Sequence, residues 1–87
     1  MELKTILSQY RNLAERNPQL NVATLKEMRD KLVKRCEKLK VYDVKSRIEE
    51  ICDAPLSMRD GCEVNSETIK ETINQVMAFL NYYVLYH

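Results

Sequence analysis

Residues 66–86 read SETIKETINQVMAFLNYYVLY. Ile69, Ile73, Val76, Leu80 and Tyr83 recur every three or four positions, which lines them along one face of an α-helix. Met77, Phe79 and Val84 widen the stripe. Asn65 and Ser66 are both good N-caps, and Glu67 in the first turn complements the helix dipole. Up to Asn74 the opposite face is polar, with Lys70, Glu71 and Asn74. Beyond Val76 that face becomes Ala78, Tyr82 and Leu85, flanked by Phe79 and Tyr86. A helix apolar on every side is normally buried on every side. A small bundle rarely covers the whole circumference of its last helix. Either the other helices wrap this one, or its far end meets a protein partner or a second copy. Aromatic residues outside a core stripe are the types enriched where interfaces bind most strongly. The expected partner-binding residues are therefore Ala78, Phe79, Tyr82, Leu85 and Tyr86.

Upstream, the same periodicity repeats. Leu3, Ile6, Leu7, Tyr10, Leu13 and Ala14 form one stripe over residues 2–16, and Asn17-Pro18 ends it, because a residue before Pro is pushed out of the α region. Thr24-Leu25-Lys26-Glu27 has the form of a capping box, with Ala23 and Met28 as a weak hydrophobic staple. It predicts a second helix over 24–40 with Leu25, Met28, Leu32, Cys36 and Leu39 inward. The stripe changes phase at Val41-Tyr42-Asp43, which favours a break over one kinked helix from 24 to 53. Asp43 is then placed to cap a third helix over 44–53 with Val44, Ile48, Ile51 and Cys52 inside. Ala54-Pro55 should stop it, leaving an irregular loop over 54–65 with a turn at Asp60-Gly61.

The expected fold is thus all-α: one domain over 1–87, a bundle of three to four helices at about 2–16, 24–40, 44–53 and 66–86. Composition agrees. Sheet folds need many tight turns, and the chain holds one Gly and two Pro. Hydrophobic residues at 45% and charged residues at 31% exclude a disordered tail.

Catalysis finds little support. The only His is His87, the final residue, and the stripes carry no inward-facing polar cluster beyond Tyr hydroxyls and Cys thiols. With one Gly there is no phosphate-cradling loop. Cys36, Cys52, Cys62 and His87 lack any closely spaced ligand pair, so no metal and no cofactor are expected. Cys36 and Cys52 fall on apolar stripes and read as small hydrophobes, whereas Cys62 follows Gly61 in the loop and reads as the more accessible thiol. An odd cysteine count at irregular spacing suits a reducing compartment. Met1-Glu2-Leu3-Lys4 lacks the pattern of a signal peptide, and Ala78 to Tyr86 is too short to span a bilayer. The expected location is intracellular and cytoplasmic, with no membrane partner.

Charge is near balance overall, at +1, but unevenly placed. Residues 26–47 hold nine basic residues and four acidic ones, a net +5, while 49–71 hold seven acids and two bases, a net −5. Such a basic helix can bind nucleic-acid phosphates, with Lys31, Lys34, Arg35 and Lys38 as the candidate contacts. Its interleaved acids are the pattern of an ordinary solvated face, and the 44–53 segment, with Ser46, Glu49, Glu50 and Asp53 outward, would repel phosphate. The sequence therefore favours a non-catalytic helical module that docks on a protein, as an adaptor, assembly factor or inhibitor. Its apolar C-terminal helix would supply the anchors and the basic helix would steer an acidic partner. Nucleic-acid binding is the alternative.

Overall fold

Four helices make up the fold: α1 (Glu2–Arg16), α2 (Val22–Leu39), α3 (Tyr42–Ser57) and α4 (Ser66–Tyr86). The structure, a computed structural model, describes the backbone of residues 2–57 and 64–86 and the side chains of residues 3–57 and 64–83. Met58, Asp60-Gly61, Cys62 and His87 lie outside the described residues.

Each helix packs on two others in a closed ring: α1 on α2, α2 on α3, α3 on α4, and α4 back on α1. Neighbours run antiparallel. Lys4 near the start of α1 bonds Asn81 near the end of α4 at 2.6 Å, and Arg11 bonds Asn74 two turns further along. Arg29 pairs with Asp53 at 2.7 Å and Lys45 with Glu37 at 3.0 Å, so α2 and α3 are tied near both ends. The result is an up-down-up-down bundle, 35 × 26 × 21 Å. Its core takes one stripe from each helix. Leu3 and Leu7 meet Leu25, Met28 and Leu32, with Val44 and Ile48 and with Ile69, Ile73, Val76 and Leu80, all fully buried. At roughly 1.5–3 kcal/mol per fully buried large aliphatic side chain, this stripe set outweighs every polar contact on the surface.

The helix ends differ from the sequence expectation in three places. α2 starts at Val22, not Thr24, because Asn21 is the N-cap: its backbone is extended and its side chain accepts from the Ala23 N–H at 3.0 Å. Both Asn and Thr cap well, but only the earlier start sets Leu20 and Leu25 at the two positions of a hydrophobic staple. Leu25 is fully buried and Leu20 packs against the core. Thr24 becomes a first-turn residue whose N–H donates to the Asn21 carbonyl at 3.1 Å. The expected capping box is not the start of the helix.

Between α2 and α3 the chain does break. Lys40 takes the left-handed conformation, φ 60°, ψ 34°. Its N–H donates to the Glu37 carbonyl at 3.2 Å and the Val41 N–H to the Cys36 carbonyl at 3.1 Å, the paired bonds of a Schellman motif. Val41 packs on the core beside this turn, and the Lys45 N–H donates to its carbonyl at 3.0 Å. α3 therefore starts at Tyr42, two residues before the expected Val44, with Asp43 inside its first turn, where its carboxylate accepts from the Val44 N–H at 2.9 Å.

Pro55 does not end α3, which continues to Ser57. A proline here removes the bond that would run to the Ile51 carbonyl and crowds that carbonyl with its ring. One further turn brings Leu56 down onto the core, which offsets that loss. Residues 54–57, expected to belong to an irregular loop, are therefore helical. α4 begins after Asn65, whose side chain accepts from the Thr68 N–H at 3.1 Å while the Thr68 hydroxyl accepts from the Asn65 N–H at 3.3 Å. The buried Thr72 hydroxyl donates to the Thr68 carbonyl at 2.9 Å. Among the described residues no buried side-chain nitrogen or oxygen lacks a partner.

Candidate functional site

A ring of four helices has grooves between neighbours, and two of them gather the residues singled out in the sequence. The first lies between α3 and α4. Arg47 and Ile51 line it from α3, and Gln75, Ala78, Phe79 and Tyr82 line it from α4, around a hollow of about 620 Å³. Ile51 is buried and belongs to the floor. Phe79 packs against the core, its ring 6.0 Å from that of Tyr83 at a 47° tilt. Tyr82 is 60% exposed, more than any other large hydrophobic side chain described. Ala78, one turn earlier, is also exposed and offers no bulk against approach. Arg47 pairs with Glu50 at 2.8 Å beside the groove.

Of the five residues expected to bind a partner, three come together here: Ala78, Phe79 and Tyr82. Phe79 is more wall than anchor, since it is partly buried and packs against the core. The side chains of Leu85 and Tyr86 lie outside the described residues. Arg47, Ile51 and Gln75 were missed in the sequence. Ile51 read as an ordinary inward residue of α3, and only the antiparallel register of α3 and α4 sets it opposite Ala78. α4 is not wrapped on all sides: it contacts α1 and α3 and leaves the Tyr82 face open.

The second groove lies between α1 and α2, around a hollow of about 640 Å³ lined by Ile6, Lys31, Lys34, Arg35, Glu37 and Lys38. The four basic residues proposed for nucleic acid thus share one face. They are not equivalent. Lys31 stands over the Tyr10 ring, its Nζ 5.4 Å from the centroid, and its pKa is raised first by a hydrogen bond to the Tyr10 hydroxyl. Arg35 is half-buried and engaged in a contact of its own. Lys34 and Lys38 are exposed and make no ion pair among the described residues. Glu37, the one acid among the described residues that line the hollow, is held by Lys45 of α3.

The two grooves are on opposite sides of the bundle, because α1–α2 and α3–α4 are opposite edges of the ring. No single flat partner touches both the Tyr82 face and the lysine face. Two further apolar residues assigned inward by periodicity are open as well: Leu13 is 37% exposed and Leu39 42%.

Cys36 and Cys52 are buried, and burial is the main cause that pushes their thiols up, to about 11 and about 12 respectively. Both remain protonated and apolar at neutral pH. Among the described residues no three His, Cys, Asp or Glu side chains are grouped to hold a metal ion, and no helix is long and apolar enough to cross a membrane. Comparison with protein-family models, with curated proteins and with solved structures finds no match.

Proposed function

We propose that this chain is a non-catalytic helical interaction module whose α3–α4 face docks against the same face of a second copy. The exposed Tyr82 ring on the lip of an open groove carries this reading. A twofold interface requires a self-complementary patch, in which each protruding group has its receptor on the same surface. Here a protruding aromatic, a small-residue gap at Ala78 and a buried floor at Ile51 lie side by side. Arg47 and Glu50 add one charge of each sign, and across a twofold axis they can exchange partners. Tyr82 would act as the anchor, a type enriched in interface hot spots.

Ala78→Arg and Tyr82→Glu test the proposal. Both positions are solvent-exposed, so far-ultraviolet circular dichroism and the urea midpoint should stay close to those of the wild type. Each change should convert an associated species to a monomer in sedimentation velocity. Unchanged association in both variants would remove the α3–α4 face from the contact.

A further inference from the structure

The α1–α2 groove extends beyond this hollow. A second hollow of about 290 Å³, lined by Gln9, Tyr10, Leu13, Glu27 and Lys31, adjoins the first at their shared Lys31. Together they form one furrow along the two helices. Its floor is an apolar strip on α1, Ile6, Tyr10 and Leu13, at i, i+4 and i+7. Tyr10 is buried, Ile6 half-buried and Leu13 open to solvent. One wall is a row of lysines on α2, Lys31, Lys34 and Lys38, at i, i+3 and i+7. Both rows span two helical turns, roughly 10 Å at 1.5 Å per residue.

We propose that this furrow is a docking groove for an acidic amphipathic helix of a partner protein. An apolar strip with helical spacing receives the apolar face of a helix laid alongside it. The adjacent wall is mainly basic, with the acids Glu27, Asp30 and Glu37 fewer than the bases Lys31, Lys34, Arg35 and Lys38, so a second copy of the same wall would be repelled on balance. It calls for carboxylates on the flank of the incoming helix. Charge complementarity also sets the direction. Glu27 stands near the Leu13 end, and Glu37 near the Ile6 end is already held by Lys45, so uncompensated positive charge concentrates at Lys34 and Lys38. The acids of the bound helix should face that end. A phosphate backbone is a poorer match, because it would leave the apolar floor of Ile6 and Leu13 uncovered.

The experiment is a titration of the isotopically labelled full chain, followed by amide and methyl NMR shifts. The probe is a synthetic helical peptide with Leu at i, i+4 and i+7 and Glu along one flank. A control peptide has the same composition with the spacing scrambled, and a duplex DNA is the third probe. The Glu-flanked helix should shift Ile6, Leu13, Lys34 and Lys38 in a saturable manner, and Lys34→Gln with Lys38→Gln should weaken it about tenfold. The scrambled peptide should bind at least tenfold more weakly. No saturable shift at millimolar peptide overturns the proposal. Equal binding of the scrambled peptide, or tighter binding of DNA at the same residues, also overturns it and makes the furrow a general anion surface. The same titration on Tyr82→Glu keeps this outcome separate from pairing through α3–α4, because the furrow lies on the opposite side.

Discussion

Lys31 of α2 holds its ammonium 5.4 Å from the centre of the Tyr10 ring of α1, and the contact bridges the two helices midway along the furrow. A cation over an aromatic face is attracted by the ring quadrupole. Burial is the chief cause that raises the Tyr10 pKa, and the hydrogen bond to Tyr10 is the chief cause that raises that of Lys31. Replacing Lys31 with Met keeps the stem and removes the charge. The urea midpoint should fall with no change in the denaturant slope, and Lys31→Arg should restore most of it.

Alkaline pH should destabilise the fold through the buried thiols. Cys52 has its pKa raised from 9.0 to about 12 and Cys36 from 9.0 to about 11, first by burial in both cases. A folded-state pKa above the unfolded one means that the folded chain keeps its proton longer. The associated stability is fully present below pH 9 and is lost progressively as pH rises toward 11 and 12. Tyr10 and Lys31 shift in the same direction and add to the loss. Urea midpoints measured upward from pH 8 should hold steady and then decline beyond about pH 9. In Cys52→Ala the decline should be shallower. A wild-type midpoint that rises through this range would contradict the assignment.

Thiol chemistry gives a second reading of the same burial. In a Cys62→Ser variant at mild pH, a thiolate-specific reagent should leave Cys36 and Cys52 unmodified in the native state and label both in denaturant. Rapid native labelling of either would mean that α2 or α3 opens far more readily than its packing implies.

The turn at Lys40 carries a strained conformation that a glycine would relieve. A non-glycine residue in the left-handed region costs roughly 1 kcal/mol. Lys40→Gly should therefore raise stability by about 0.5–1 kcal/mol in equilibrium unfolding, and a β-branched residue at the same position should lower it.

The start of α2 can be tested in the same way. Asn21→Ala removes the cap and should cost about 1 kcal/mol, whereas Thr24→Ala should cost clearly less. The reverse order would restore the boundary expected from the Thr24–Glu27 motif.

That boundary illustrates what a sequence of this kind conceals. α1 was legible from its unbroken stripe and the stop at Asn17-Pro18, and α4 from its stripe, with its start narrowed to Asn65 or Ser66. The break at Lys40 was legible as a phase change at Val41-Tyr42. The start of α2 was not, since Asn21 and Thr24 are both good caps and only the packing of Leu20 and Leu25 decides between them. Pro55 misled for a related reason: its local preference is outweighed by the burial of Leu56. Periodicity also assigned Leu13 and Leu39 inward, because a stripe shows which face is apolar and not how much of it a neighbour covers. The partition of Tyr82 and the lysine row onto opposite sides follows from the ring order of the helices. No spacing within a single helix contains that information.

The central claim, pairing through the Tyr82 face, is tested most directly by molar mass from size-exclusion chromatography with light scattering, over a wide concentration range and at two salt concentrations. One chain has a mass of 10.3 kDa. The expected result is a species of twice that mass that grows with concentration, survives high salt because its anchors are apolar, and disappears in Tyr82→Glu. A mass of one chain at every concentration would contradict the claim, as would a dimer that persists unchanged in that variant.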